Sequence, residues 1–206
     1  MRGALGVTLW LVRHGETEWS RSGAHTSFTD LPLTDEGRRR AQALGGVLRG
    51  RRFALVLTSP LERARETCEL AGFGSEAHVE PNLAEWNYGD YEGRTTADIR
   101  KERPDWSLWR DGAPNGEPVA HAGERADAVI ARCDGDALLF AHGHILRILA
   151  ARWLGLPTDA GRLFALGTGT ISVLGHERET RVIEHWNMDP YCASATQRNP
   201  SVAARS

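Results

Sequence analysis

The sequence predicts an α/β fold: a three-layer α/β/α sandwich with a mostly parallel central sheet and a hairpin at one sheet edge. Three observations lead there. Apolar runs at 7–12, 53–58 and 137–141 each end in a polar turn, and two of these turns run into stretches with helical spacing, as does the first after a loop. Strands alternating with helices place a parallel sheet between two helical layers. Two β-rich runs, 170–174 and 180–186, then follow one another across a short break, as an antiparallel edge pair does.

Taken in order, Val7-Thr8-Leu9-Trp10-Leu11-Val12 is almost wholly apolar, as a strand buried on both faces must be, and it stops at Arg13-His14-Gly15. Thr34 caps a helix over 35–49, where Ala41, Leu44, Val47 and Leu48 share one face and Gly50 closes it. The second strand ends at Ser59-Pro60 and leads into a helix over 61–70 that stops near Gly72. The third runs into His142-Gly143-His144 and a helix over 145–154, stopped by Gly155 and Pro157. Active-site loops of such sheets gather at the carboxyl ends of the strands. His14, Arg63 and His142 all lie there.

The length of 206 residues suits one core, so a single domain is expected over 1–190, with a loosely ordered tail over 191–206. Net charge is −2, which offers nothing to hold a polyanion, so nucleic acid is not expected as a partner. A small anion needs only two or three local cations. The apolar run near the N-terminus is too short to span a bilayer and lacks a cleavage site after it. Cys68, Cys133 and Cys192 are odd in number and form no Cys-x-x-Cys pair, so neither a disulfide framework nor a thiolate zinc site is expected. These features predict a cytoplasmic monomer or homodimer with no membrane partner.

A neutral imidazole is suited to attack phosphorus, which gives His14 a chemical reading. Charge then builds on the phosphate oxygens, and Arg13 and Arg63 supply planar forks that stay charged at any working pH. The leaving alkoxide needs a proton, and the water that follows must lose one; Glu85 is the candidate for both steps. Taken singly, each residue also reads as an ordinary solvated or hydrogen-bonded side chain.

Read together, four segments resemble the signatures of the histidine phosphatase superfamily, the phosphoglycerate mutase-like group (branch 1). They are Leu11-Val12-Arg13-His14-Gly15-Glu16-Thr17-Glu18-Trp19, the stretch from Thr58-Ser59-Pro60 through Arg63 to Thr67, Leu83-Ala84-Glu85-Trp86 through Glu92-Gly93, and Phe140-Ala141-His142-Gly143-His144. The resemblance implies a phosphoglycerate mutase-like fold with no cofactor and no metal. It implies that His14 is phosphorylated, that Arg13, Arg63 and His142 with Gly143 form the phosphate pocket, and that Glu85 is the proton donor and acceptor. By the same resemblance Thr26 and the Ser27 amide touch the phosphate from an overlying loop, Ser20 stands where mutases carry Asn, and Tyr88 bounds the leaving-group side. Ser27 departs from the Gly that the family often has there.

Cofactor-dependent mutases resemble one another in a cationic insertion after the Glu segment; here 103–117 holds few cations. Hydrolysis of a small phosphorylated metabolite is therefore expected, with mutase-type transfer as the alternative and a catalytically silent scaffold as a second. The pattern is most similar to sedoheptulose-bisphosphatase-like and mycobacterial acid phosphatase members, which implies a sugar phosphate or bisphosphate. Among the rest, the spacing of His142 and His144 would on a strand put both on one face as a metal-ligand pair, but no carboxylate or Cys cluster accompanies them, so a role behind the site residues or at the substrate's edge is expected for His144. His25 carries no constellation.

Overall fold

The computed structural model describes residues 6–192. The chain order is β1 (Leu9–Arg13), α1 (Glu18–Ser22), α2 (Asp35–Leu48), β2 (Leu55–Thr58), α3 (Glu62–Leu70), β3 (His78–Val79), α4 (Thr96–Glu102), α5 (Leu108–Asp111), α6 (Val119–Arg132), β4 (Ala137–Ala141), α7 (Gly143–Trp153), β5 (Ile171–Glu177) and β6 (Thr180–Met188). The strands form one sheet in the order β3-β2-β4-β1-β5-β6. The pairs among β1, β2, β3 and β4 are parallel, and β5 and β6 add on antiparallel. The expected sandwich with its edge hairpin is thus the observed one. The tail expected over 191–206 lies outside the described residues except for its first two positions.

The period-two alternation of the strands divides the core between the two faces. Leu9 and Leu11 of β1 and Leu139 of β4 pack with Ala126 and Val129 of α6 and Ile145, Leu146 and Leu149 of α7. Val12, Leu138 and Phe140 face the other way, against Leu44, Val47 and Leu48 of α2 and Cys68 of α3. Each such fully buried aliphatic side chain contributes roughly 1.5–3 kcal/mol, so the double-faced strands β1 and β4 are the most firmly held elements. Both carry the site at their carboxyl ends.

Thr34 caps α2 by accepting from the Gly37 amide at 3.0 Å. Gly37 also lies where α2 crosses the turn after β1: a Cβ on Gly37 would stand 2.3 Å from the Glu16 carbonyl oxygen, and one on Gly15 2.5 Å from that of Gly37. The two glycines let backbone meet backbone beside His14. The edge pair is longer than expected, since Gly175 pairs with Val182 inside the ladder, not in the turn.

Candidate active site

His14 follows β1 and is fixed by its backbone: its amide donates to Ala141 of β4 at 2.9 Å, and its carbonyl accepts from the Gly169 amide at 2.9 Å. The next amide, of Gly15, donates to Thr67 Oγ1 at 3.0 Å, and that hydroxyl donates to the Arg63 carbonyl at 2.7 Å. The ring's Nδ1 lies 2.7 Å from the Gly15 carbonyl and so carries the proton, which leaves Nε2 as the unprotonated nitrogen. Burial, Arg63 and Arg13 push this imidazole well below its usual pKa, so it is neutral at neutral pH.

The residues singled out in the sequence gather around it. His142 caps α7, its ring 5.1 Å from that of His14. Ser59 Oγ accepts the Leu61 amide at 3.3 Å and holds His142 Nε2 at 2.7 Å. With the Ser59 hydroxyl donating to Nε2, Nδ1 is left as a donor. Arg63 is fully buried; its Nη atoms donate to the carbonyls of Thr26, Ser27 and Thr29 at 3.0–3.2 Å. Arg13 donates to the Leu166 carbonyl. Arg13 Nε, Arg63 Nε and His142 Nδ1 are buried nitrogens without a hydrogen-bond partner. A buried donor left unpaired costs about 1–3 kcal/mol, so these nitrogens call for acceptors that the folded chain does not supply.

Glu85 meets the start of α7. Its Oε1 accepts the amides of Trp86 and Ile145, both at 2.9 Å, and its Oε2 the amide of His144 at 3.0 Å. Burial pushes against the charge, and the donors of His144 overcome it, so the carboxyl sits well below its ordinary pKa. The His144 ring is itself pushed down by burial, and its Nδ1 stands 3.8 Å from Glu85 Oε2, beyond hydrogen-bond reach, so the direct donors to the carboxylate are the backbone amides. The Tyr88 phenol, raised well above its usual pKa by burial and by Glu85, keeps its proton and shares a hydrogen bond of 2.7 Å with His144 Nδ1.

A cleft of about 270 Å³ opens over this floor, lined by Arg13, His14, Ser20, Thr26, Glu85, Tyr88 and Gly143 among the expected residues. Arg63 and His142 do not line it, and neither does Ser27. Its amide donates to both oxygens of Glu92 at 2.9 Å and its hydroxyl to Glu92 Oε2, so the contact expected through that amide is corrected. Two other expectations change. His142 and His144 do not share a strand face: one caps α7 and the other sits in its first turn, turned toward Tyr88. His25 does have a constellation, 4.8 Å from the Tyr88 ring and 5.7 Å from that of Trp106, at the cleft wall. Thr96 and Arg147, which carry no sequence signal as site residues, also line that wall, as does His144, for which a substrate-edge role is expected.

Residues 9–189 match the model of the histidine phosphatase superfamily (branch 1). The chain belongs to that family. This histidine phosphatase is 42% identical over 186 residues to an acid phosphatase of Mycobacterium tuberculosis, spanning 87% of this chain and 91% of the relative. It is 40% identical to sedoheptulose 1,7-bisphosphatase of Saccharomyces cerevisiae over 71% of this chain and 67% of that one. The solved structure of a Mycobacterium tuberculosis open reading frame superposes on the histidine phosphatase with a TM-score of 0.85 at 39% identity, covering 89% of this chain and 98% of that chain.

Proposed function

We propose that the chain hydrolyses small phosphorylated metabolites, sugar phosphates or bisphosphates foremost, through a phosphohistidine on His14 and without a metal. The observation that carries this is the His14 ring: neutral, with Nδ1 committed to Gly15, and with Arg13, Arg63 and His142, each holding an unpartnered buried nitrogen, as its neighbours. Phosphatase action on phosphate monoesters accords with the acid phosphatase and bisphosphatase relatives.

In the first step the Nε2 lone pair of His14 forms the N–P bond while the P–O bond to the alcohol breaks. Arg13, Arg63 and His142 hold the phosphoryl oxygens as charge shifts onto them. Glu85 gives its proton to the departing alkoxide. In the second step water attacks phosphorus, the N–P bond breaks, and Glu85 takes the proton of that water. Because Glu85 is held ionised at rest, the proton for the first step enters with the ester monoanion, which is abundant below a second phosphate pKa of about 6. The dianionic charge that remains on phosphorus then favours protonated Glu85.

His25, Tyr88, Thr96 and His144 offer the leaving group a wall of hydrogen-bonding side chains, which suits a polyhydroxy alcohol. Arg147 stands in the same wall, stacked 4.8 Å over Trp109 and tied through Nε to the Gly161 carbonyl; a cation there supports a substrate with a second phosphate. Among the described residues no group of three or more His, Cys, Asp or Glu side chains is arranged to hold a metal ion.

A panel of p-nitrophenyl phosphate, sugar mono- and bisphosphates, phosphoglycerates and nucleotides, each with and without EDTA, tests this reading. Fastest hydrolysis of sugar phosphates, unchanged by EDTA, is expected. Loss with EDTA would sink the metal-free mechanism; transfer between phosphoglycerates would favour a mutase, and silence on every ester a scaffold.

A further inference from the structure

The segment 24–30, which lies over the His14 pocket, contains no helix and only one bridging pair, between Ala24 and Thr95. Its shape comes from its neighbours. The His25 amide donates to the Arg94 carbonyl at 2.9 Å, and the Gly93 amide returns a bond to the His25 carbonyl at 2.8 Å. From the same neighbouring turn Glu92 reaches in. It accepts from the Ser27 amide at 2.9 Å on each oxygen, from the Ser27 hydroxyl, and from the Thr29 amide at 3.0 Å. One carboxylate thus takes up the donors on one side of the loop.

The acceptors of that loop turn the other way. The carbonyls of Thr26, Ser27 and Thr29 take both Nη atoms of Arg63 and leave Nε without a partner. A guanidinium held at both Nη atoms by fixed carbonyls cannot swing, so the direction of its Nε–H is set by where those carbonyls stand. They stand where Glu92 puts the peptide units that carry them. Arg63 is fully buried, which excludes water as a substitute for this support.

From this arrangement we propose that Glu92 is a positioning residue: by clamping the amides of Ser27 and Thr29 it aims the Arg63 fork at the phosphoryl group on the His14 side. This rests on the reading of the His14 pocket as the phosphoryl site. The negative charge of Glu92 also faces Arg63, as do those of Glu85 and Asp30, and offsets part of the cost of burying that cation. In Glu92→Gln the carbonyl oxygen could keep both amides from the Oε1 place while the NH₂ group turns to the Ser27 hydroxyl, so it is Glu92→Ala that removes the clamp.

The test is a double-mutant cycle of Glu92→Ala with Arg63→Gln, read in kcat/KM on p-nitrophenyl phosphate and in competitive inhibition by inorganic phosphate. Alone, Glu92→Ala is expected to weaken phosphate inhibition and lower kcat/KM by about tenfold, whereas in the Arg63→Gln background it should add less than about twofold. Equal losses in both backgrounds, or no loss in either, would overturn the proposal while leaving the pocket reading intact. If Arg63→Gln itself leaves phosphate inhibition unchanged, the pocket reading fails first. Should Glu92→Ala not fold, Ser27→Ala removes the hydroxyl bond alone. It should weaken phosphate inhibition about threefold with an unaltered circular dichroism spectrum, and unchanged inhibition there counts against the clamp.

Discussion

Replacing His14 with alanine is expected to lower kcat by about 10⁴-fold or more, because the nucleophile acts in both half-reactions and its loss leaves only binding and charge stabilisation. The variant should still bind inorganic phosphate, since Arg13, Arg63 and His142 do not depend on the imidazole for their support: they are held by Leu166, by the loop carbonyls and by Ser59. Steady-state turnover paired with phosphate binding by calorimetry checks this. Turnover within about tenfold of wild type would remove His14 from the chemistry. The same imidazole sets the acid side of the pH profile. Burial and the two arginines hold its pKa well down, so its basic form persists as pH falls through the ordinary histidine range. The acid limb of kcat/KM should therefore lie well below pH 6.5, and a limb centred at that value would contradict a buried, neutral nucleophile.

Glu85→Gln should show two separable losses. Every oxygen of the carboxylate accepts a backbone amide, so the NH₂ group of glutamine must face at least one donor, that of His144 if the carbonyl oxygen keeps the amides of Trp86 and Ile145. An unpaired buried donor costs about 1–3 kcal/mol, and thermal unfolding should record it. Turnover of alkyl esters should fall by about 10²–10⁴-fold with the loss of the acid. With p-nitrophenyl phosphate the first step needs little acid help, so a burst of p-nitrophenolate should precede a slow steady state limited by water attack. Equal losses for both leaving groups without a burst would argue against Glu85 as the proton carrier.

The parts of this design that were legible in the sequence are those with strong local signals. Strands β1 and β4 are apolar on both faces, and the turns after them carry Arg13, His14 and His142, so strand ends and site residues could be read together. Helix α6 was not read, because the face it buries is built of Ala122, Gly123 and Ala126, whose small side chains give weak periodicity. Strand β3 is two exposed residues, His78 and Val79, with no pattern to find. The wall of the cleft was hidden for another reason. His25 and Thr96 come from separate segments that meet through the Ala24–Thr95 bridge, and Arg147 lies one turn into α7; spacing along the chain does not report which loop folds over which helix. The Ser27 amide was misread for the same reason, since Glu92 is 65 positions away.

The central claim is that the phosphoryl group rests on His14 between the two half-reactions. Rapid acid-free quenching of the enzyme during turnover of a ³²P-labelled ester, followed by peptide mapping, tests it most directly. The account requires label on the peptide containing His14, stable in base and lost in acid, as a phosphoramidate is, and no label in His14→Ala. Label that survives acid and is lost in base, or that maps to a carboxylate, would contradict it.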